Sequence, residues 1–287
     1  MPAMTLPFEQ VDAFTTKPFA GNPAAVMRMP GGKFLSDDLL TKIAAENNLS
    51  ETAYWCPKAG APKGEYELRW FTPTVEVVLC GHATLATAHS IFSSKEEDAP
   101  NPIFFHTKSG RLTVERSEDG RMMMELPTWP QANSPGLIEG VGAALGIAPK
   151  ETYWTPIRRD ALAVFEYAQQ IADLKPDLQQ LRALPPGGLI CSAPGPAPDG
   201  QACDFVYRFF APSLGIDEDP ACGSAQCSLV PYWAGRLGKN DFSSLQLSQR
   251  GAELLGCLVP SAGADSDRVL VRGSAVTVIR GEMYLPS

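Results

Sequence analysis

The sequence predicts an α+β protein of two pseudo-symmetric lobes, each a curled, mostly antiparallel sheet around one central helix. Three observations support this class. Short strand-like segments outnumber helical ones along the chain. Two of the few helices begin directly after a Cys-Gly dipeptide, and several short motifs recur about half a chain length later. A single repeat of that length indicates two related lobes, because solenoids repeat many much smaller units.

Three motifs recur in the same order in both halves of the chain, and the two copies of each lie 139 to 142 residues apart. They are Arg-aromatic-Phe-x-Pro at 69–73 and 208–212, Cys-Gly-x-Ala at 80–83 and 222–225, and a glycine inside a strand-like pattern at 110 and 251. The boundary is expected near 127–136, where Pro and Gly interrupt the periodic pattern. We therefore assign residues 1–128 to the N-terminal lobe and 129–287 to the C-terminal lobe, with the last strand able to cross back to the first.

The strands are predicted from runs of β-rich or alternating residues. They are expected at 8–14, 24–29, 52–57, 66–72, 111–117 and 121–127 in the first half, and at 161–167, 187–193, 204–210, 245–249, 268–273 and 275–281 in the second. A first helix is predicted after Ser36, a typical N-cap residue followed by Asp37 and Asp38 in the first turn. Asn47 and Asn48 would close this helix.

Two further helices are predicted to start at the repeated Cys-Gly motifs. After Cys80, apolar residues recur at helical spacing, and after Cys222 they do so again. The residues on these faces are Leu85, Ala88, His89 and Phe92 in the first helix, and Leu229, Trp233 and Leu237 in the second. Gly238 is a plausible residue to end the second helix, and Pro231 is expected to kink or interrupt it.

Composition restricts the class of protein. Apolar residues make up 44% and charged residues 20% of the sequence, as in ordinary globular proteins. A net charge of −8 argues against nucleic acid or an anionic membrane as partner, because both attract basic surfaces. Without an apolar run of about 18 residues or a signal-like beginning, we expect a cytoplasmic protein. Seven cysteines without regular spacing predict reduced thiols.

The two Cys-Gly helix starts predict a site for an anion. The first turn of a helix leaves backbone N–H groups unpaired and carries partial positive charge. Gly81 and Gly223 allow a ligand to approach the backbone, and the small side chain of Ser224 leaves the N–H groups uncovered. Two such helix starts across one cleft would clamp a carboxylate, so we expect a small carboxylated molecule as partner. An acid and a base beside it could move a proton without a cofactor.

Four blocks of the sequence resemble the PhzF-like (phenazine biosynthesis-like) isomerase family and together span nearly the whole chain. These blocks, in the order found in the family, are 11–26, 47–54, 69–86 and 209–225. The family is similar in fold to diaminopimelate epimerase and proline racemase. The resemblance therefore implies a diaminopimelate epimerase-like fold with the site between two lobes, a cofactor-free proton shift, and a homodimer.

The resemblance also implies roles for individual residues. The acid/base glutamate of the family falls on Glu51, the histidine of its Gly-His pair on His82, and the aspartate of its Asp-Pro pair on Asp219. In the family the Gly-Asn-Pro block lines the cleft, which brings Asn22 near the substrate. The alternatives are a solvated glutamate at Glu51, a capping or packing role for His82 and Asp219, and a plain turn at Asn22.

One motif departs from the family pattern. Where PhzF-like sequences usually read Thr-Gly-Ser-Ala-His, this chain has Cys222 followed by Gly-Ser-Ala-Gln. Together with Cys80, a cysteine now stands at each helix start, which is the arrangement of the racemases and epimerases. A helix N-terminus favours the thiolate, so Cys80 and Cys222 form a possible alternative acid/base pair. Free cysteines that merely fill buried space are the other interpretation.

Three functions follow from these observations. The leading one is a cofactor-independent isomerase that uses Glu51, the second is a two-cysteine racemase or epimerase, and the third is a binding protein that has lost turnover. We expect no metal, nucleotide or flavin, because the sequence contains no phosphate loop, dinucleotide fingerprint or metal-ligand spacing. A zinc site from Cys80, His82, Cys222 and Cys227 is disfavoured because it lacks a C-x-x-C element.

Overall fold

The computed structural model describes residues 4–95, 97–157, 159–185, 187–261 and 267–285. It divides the chain into two compact units. Unit 1 consists of Met1–Glu125 and Arg272–Ser287, and unit 2 consists of Leu126–Val271. The chain thus enters unit 2 at Leu126, and its last segment, from Arg272, lies with unit 1.

The structure contains short strands joined by few helices. Within the described residues the strands are β1 (Met4–Ala13), β2 (Asn22–Arg28), β3 (Glu51–Pro57), β4 (Glu65–Phe71), β5 (Glu76–Val77), β6 (Ile103–Thr107), β7 (Gly110–Arg116), β8 (Met122–Pro127), β9 (Ala132–Asn133), β10 (Glu151–Thr155), β11 (Asp160–Val164), β12 (Gly188–Pro194), β13 (Phe205–Ala211), β14 (Ile216–Asp219), β15 (Asp241–Gln246), β16 (Ala252–Val259), β17 (Arg268–Gly273) and β18 (Ala275–Leu285). The α-helices are α1 (Asp37–Asn47), α2 (Gly81–Ser93), α3 (Ile138–Leu145), α4 (Ala168–Ala172), α5 (Leu178–Ala183) and α6 (Gln226–Leu237).

Unit 1 is a curled sheet around α2. Strand β1 pairs antiparallel with β18 and β2, β2 runs parallel to β3, and β3 is antiparallel to β4. Beyond β4 the sheet continues through parallel β6 to antiparallel β7 and β8. Helix α2 contacts β1, β2, β3 and β18, and it is buried continuously from His82 to Ala88. A helix that is apolar on nearly all sides requires such a surrounding sheet.

Unit 2 repeats the strand pairing of unit 1. Strand β10 is antiparallel to β11, β11 is parallel to β12, and β12 is antiparallel to β13. Strand β13 is then parallel to β15, which is antiparallel to β16. This order of parallel and antiparallel pairs is the one that leads from β1 to β7 in unit 1. The predicted pseudo-symmetry of two mostly antiparallel sheets, each with a central helix, is confirmed.

The repeated Arg-aromatic-Phe-x-Pro motif has the same structural role in each unit. Arg69 donates to both carboxylate oxygens of Glu76, at 2.8 and 2.7 Å, and its guanidinium lies 5.0 Å from the ring centre of Phe71. Arg208 donates to both oxygens of Glu218, at 2.7 and 2.9 Å, and lies 4.8 Å from the ring centre of Phe210. In each unit the motif therefore forms a largely buried, bidentate ion pair stacked on an aromatic ring.

The two repeated glycines lie where turns lead into strands. Gly110 belongs to its strand as predicted, whereas Gly251 stands one residue before its strand, so the prediction is wrong for Gly251 only. Gly110 has φ +100° and is the first residue of β7, directly opposite Thr107 in β6. Gly251 has φ +67° and immediately precedes β16. Both glycines reverse the chain into the second strand of an antiparallel pair, a conformation that other residues rarely adopt.

The three predicted helices form. Ser36 caps α1 by accepting a hydrogen bond from the Leu39 backbone N–H, and Asn48 ends it with φ +50°. The helix after Cys222 begins as a 3-10 turn, Gly223–Ala225, which continues into α6 and ends at left-handed Gly238. Among the described residues, no helix has the length and apolar character needed to cross a membrane.

Pro231 lies inside α6 without interrupting it, which makes the expected break wrong. A proline cannot donate to the carbonyl four residues earlier, so the carbonyl of Cys227 loses its partner within the helix. In the structure the Trp129 backbone N–H donates to that carbonyl at 2.9 Å, and the Gln131 side chain donates to the Ser228 carbonyl at 3.1 Å. Bonds from a segment distant in sequence thus replace the missing one.

Every predicted strand overlaps an observed one, but β5, β6, β9, β10, β14 and β16 were missed, as were α3, α4 and α5. The missed strands have mixed polar and apolar residues with weak alternation, and their pairing with neighbouring strands stabilises them. All seven cysteines are free, which confirms the expectation of reduced thiols.

Candidate active site

Three chain segments of unit 1 bring the predicted first-lobe residues together. Glu51 is the first residue of β3 and follows the turn that ends α1, and Asn22 is the first residue of β2. Cys80 stands at the N-cap position of α2, and His82 lies in the first turn of this helix. Gly21 has φ +65° and lies so close to β1 that a Cβ atom would stand 2.1 Å from the Ala13 carbonyl oxygen. Only glycine fits at the entrance to β2, and this fixes Asn22.

A chain of polar contacts orients His82. The Ser50 hydroxyl donates to Asn22 Oδ1 at 3.4 Å, and Asn22 Nδ2 lies 3.2 Å from His82 Nδ1. Because the amide nitrogen only donates, Nδ1 must accept, and the imidazole proton is therefore on Nε2. His82 Nε2 lies 3.3 Å from Glu51 Oε2, and Cys80 Sγ lies 3.5 Å from His82 Nδ1. Asn22 thus presents a neutral histidine to the carboxyl group of Glu51.

Glu51 is a buried carboxyl group, with 9% of its surface exposed. Burial raises the pKa of Glu51, while hydrogen bonding by the side chains of Ser50 and Cys80 partly counteracts this. No well-aligned hydrogen bond from the described residues reaches Glu51 Oε2, although His82 Nε2 is within ion-pair distance. A carboxyl group with a raised pKa can exchange a proton near neutral pH, as a general acid/base must.

The raised pKa of Glu51 predicts a pH-dependent effect on stability. Because the pKa is higher in the folded than in the unfolded chain, the stability that Glu51 contributes is complete below the unfolded value and is lost as the pH rises through the folded value. We therefore expect Glu51→Gln to melt at a higher temperature than the wild type near pH 8. The difference should shrink toward about pH 4. Thermal melts of both proteins across this range provide the test, and equal melting curves at every pH would contradict it.

The start of α2 supplies backbone donors beside Glu51. Thr84 is the first residue of the helix whose N–H bonds back within it, to the Cys80 carbonyl at 3.1 Å. The N–H groups of Gly81, His82 and Ala83 therefore have no acceptor inside the helix. Cys80 does not cap them with its side chain, and Gly81 has open space where a Cβ atom would stand. This helix start has the features of an anion site.

Glu51, Cys80 and His82 could also ligate a metal ion. One potential ligand atom of each lies within 4.8 Å of the others, and all three side chains are buried. Carboxylate, thiolate and imidazole are all ligands that zinc accepts. The four residues of the zinc site considered from the sequence do not all belong to one unit. Cys80 and His82 belong to unit 1, whereas Cys222 and Cys227 belong to unit 2.

We expect the purified protein to contain well under one equivalent of zinc. The bond from Asn22 already uses His82 Nδ1, and the imidazole proton occupies Nε2, so binding zinc would require loss of that proton or of the bond. Metal analysis by mass spectrometry after expression in zinc-supplemented medium measures the content. Stoichiometric zinc that a chelator removes together with thermal stability would contradict the prediction.

The predicted second-lobe residues lie together in unit 2. Asp219 ends β14 and accepts a hydrogen bond from the Ala221 backbone N–H at 3.0 Å, the capping role that was one of its alternatives. Cys222 precedes the 3-10 turn of Gly223 and Ser224, and its Sγ lies 3.3 Å from Ser224 Oγ. The expectation that both helix starts face one cleft stays a prediction.

Several residues around these positions were missed from the sequence. In unit 1, Ser50 completes the contacts that orient His82. In unit 2, the Gln246 side chain accepts from the Cys222 backbone N–H at 2.7 Å, and the Tyr207 hydroxyl donates to the Cys222 carbonyl at 3.2 Å. Asp160 is 3% exposed at the start of β11. None has a motif of its own, although Ser50 is adjacent to Glu51 and could have been found there.

Comparisons with known proteins agree with the four sequence blocks. A family model described as "Phenazine biosynthesis-like protein" matches residues 11–281. An uncharacterized isomerase of Pseudomonas aeruginosa is 43% identical over 285 residues, which cover 98% of this chain and all of the relative. The crystal structure of a PhzF-family protein from Enterococcus faecalis is 38% identical, with a TM-score of 0.87 over 98% of this chain and all of its own.

A more distant structure shares the fold alone. The crystal structure of a hydroxyproline epimerase from Agrobacterium vitis aligns with a TM-score of 0.58 at 11% identity, over 99% of this chain and 93% of its own. The epimerase-like α+β fold predicted from the sequence is therefore confirmed.

Proposed function

Because the chain belongs to the phenazine biosynthesis-like family, whose relatives include proteins named as isomerases, we propose that it is a cofactor-independent isomerase in which Glu51 moves a proton on a small carboxylated substrate. The observation that carries this proposal is the buried Glu51 carboxyl group, with its raised pKa, beside the neutral imidazole of His82. The uncapped start of α2 next to it supports an anionic substrate.

The proposed reaction needs one acid/base group. Ionised Glu51 removes a proton from a carbon conjugated to the substrate carboxylate, and the electron pair of the broken C–H bond spreads into the conjugated system. Protonated Glu51, whose carboxyl proton exchanges with solvent, then delivers a proton to a different carbon, which shifts the double bond and restores the carboxylate form of Glu51. Substrate and product are isomers, so no oxidant, reductant or co-substrate is required.

The surrounding residues supply orientation and charge stabilisation. The N–H groups at the start of α2 would hold the substrate carboxylate, which draws electron density away from the reacting carbon. His82, with its proton on Nε2 and its position fixed by Asn22, would donate to a polar substituent or to Glu51 itself. In unit 2, the roles of Asp219, Gly223 and Ser224 in binding a substrate stay predictions.

Cys222→Thr is expected to leave activity nearly unchanged. A two-cysteine racemase needs one thiolate, yet burial and the charge of Asp219 raise the pKa of Cys222 well above that of an ordinary thiol. A threonine hydroxyl retains a neutral donor at the same position. Steady-state rates for Cys222→Thr and Cys80→Ser provide the measurement. Loss of activity in both, with full activity in Glu51→Gln, would replace the isomerase with the racemase.

The decisive experiment is solvent exchange. The protein is incubated in heavy water with a panel of small cyclic and amino carboxylates, and NMR follows deuterium incorporation at carbon. We expect at least one unsaturated carboxylate to take up deuterium and to form a positional isomer. Exchange at one stereocentre with inversion would support the racemase instead. A ligand that raises the melting temperature without any exchange across the panel would favour a binding protein.

A further inference from the structure

An open cavity of about 440 Å³ lies in unit 1 at the end of α2 that is opposite the candidate active site. Its wall is formed by β1, β2, β3 and β18, by the last turn of α2 and by the segment that follows this helix. Helix α2 has 13 residues, and at about 1.5 Å per residue its two ends are about 20 Å apart. A cavity of this volume holds a small organic molecule, separately from the site at Glu51.

Strand register places two arginines in the wall of this cavity. Glu9 in β1 is directly opposite Arg280 in β18, and Arg280 Nε donates to Glu9 Oε1 at 2.9 Å. Arg28 in β2 is opposite Trp55 in β3, and its guanidinium lies 5.5 Å from the centre of the Trp55 ring. Arg28 Nη2 also lies 2.8 Å from Glu97 Oε1. Each glutamate therefore holds one arginine in place.

The lining of the cavity carries an excess of positive charge, although the whole chain has a net charge of −8. The cations Arg28, Lys95 and Arg280 outnumber the anions Glu9 and Glu97. Lys95 is exposed, as is 61% of the Arg280 side chain, so both can meet a ligand from solvent. The end of α2 adds a partial negative charge of about one half, which the excess still exceeds. The cavity therefore favours an anion.

Ser90 supplies a buried hydroxyl group to the same cavity. It lies in the last turn of α2, lines the cavity and is 9% exposed. No described residue forms a hydrogen bond with this hydroxyl group. A buried hydroxyl group without a partner costs free energy, which a ligand that bonds to it recovers. Ser93 and Ser94 add two more hydroxyl groups to the lining.

We propose that this cavity binds a small phosphate monoester, with the phosphate at Ser90, Lys95 and Arg280 and the organic part against Pro7 and Val26. A phosphate monoester carries a charge of about −1.5 to −2 at neutral pH and has three strong acceptor oxygens. It can therefore accept from the hydroxyl, ammonium and guanidinium groups at once, whereas a carboxylate has only two oxygens and a single charge. The inference does not depend on the proposed isomerase, because none of these residues takes part in that reaction.

The test measures binding of glycerol 3-phosphate to the protein by isothermal titration calorimetry. We expect one molecule to bind to the wild type with a Kd below about 1 mM, and glycerol to show no binding at the same concentrations. Lys95→Gln and Ser90→Ala should each weaken binding about tenfold, because each removes one hydrogen bond to a charged ligand. Lys95 is exposed and alanine is a good helix former at Ser90, so both variants should fold, and urea denaturation verifies this.

The matched control is Lys42→Gln, which removes an exposed cation of α1 and should bind glycerol 3-phosphate like the wild type. Absence of binding to the wild type, or equally tight binding of glycerol, would overturn the proposal. Equal affinities of the wild type, Lys95→Gln and Ser90→Ala would also overturn it, because the phosphate would then occupy another site, such as the start of α2. Calorimetry of this ligand involves no turnover, so failure of deuterium exchange would reject the isomerase and leave the phosphate site standing.

Discussion

Glu51→Gln is expected to lower the rate of deuterium incorporation into the substrate by about a hundredfold or more, the usual effect of removing a general acid/base. Glutamine has nearly the same shape as glutamate, so the contacts of His82 and the start of α2 should remain in place. Because an amide cannot accept and return a proton, the chemical step should be lost while ligand binding persists. NMR exchange rates together with calorimetric titration of the same ligand measure both effects.

Glu46→Gln is the control for this substitution. Glu46 is exposed near the end of α1, a few residues before Glu51, and the same change there should leave exchange at the wild-type rate. Equal loss of binding and exchange in Glu51→Gln would instead indicate that Glu51 holds the substrate. Retention of full exchange in that variant would show that another group moves the proton.

Arg208→Ala is expected to reduce the free energy of unfolding by about 2–4 kcal/mol, because it leaves buried partners unpaired. Only 12% of the Arg208 side chain is exposed. Besides the two bonds to Glu218, it donates to the carbonyl oxygens of Ile171 and Leu174 at 3.3 and 2.8 Å. Its removal therefore breaks the two hydrogen bonds that join the segment around α4 to Arg208 in β13. Urea denaturation followed by circular dichroism provides the measurement.

Lys42→Ala is the matched control for an exposed ion pair. Lys42 and Asp38 contact each other at 2.7 Å on α1, but their side chains are 72% and 80% exposed. Exposed pairs of this kind contribute about 0.3–0.5 kcal/mol, so the variant should unfold almost like the wild type. A similar small change for Arg208→Ala would mean that the ion pair of the repeated motif contributes little to stability.

The sequence by itself determined the two-lobed architecture. Both repeated motifs depend on local chemistry that each half of the chain must reproduce. Cys-Gly-x-Ala supplies a helix start without a bulky side chain, and the arginine motif supplies a cation that forms an ion pair and stacks on an aromatic ring within its own sheet. Ser36 and Asn48 likewise fix the ends of α1 through bonds to residues a few positions away. Glu51 was identified because its sequence block is specific to the family. Such features act over short distances along the chain, and they can therefore be recognised from the sequence without coordinates.

Only the tertiary structure decided which distant residues share an environment. It showed that Asn22 and Ser50 set the tautomer of His82, that Trp129 replaces the hydrogen bond lost at Pro231, and that Asp160 fills the space beside Gly188. Each of these depends on strand register or on packing between segments far apart in sequence. Because a shift of one residue in register turns a side chain to the opposite face of a sheet, composition and spacing alone cannot specify such contacts.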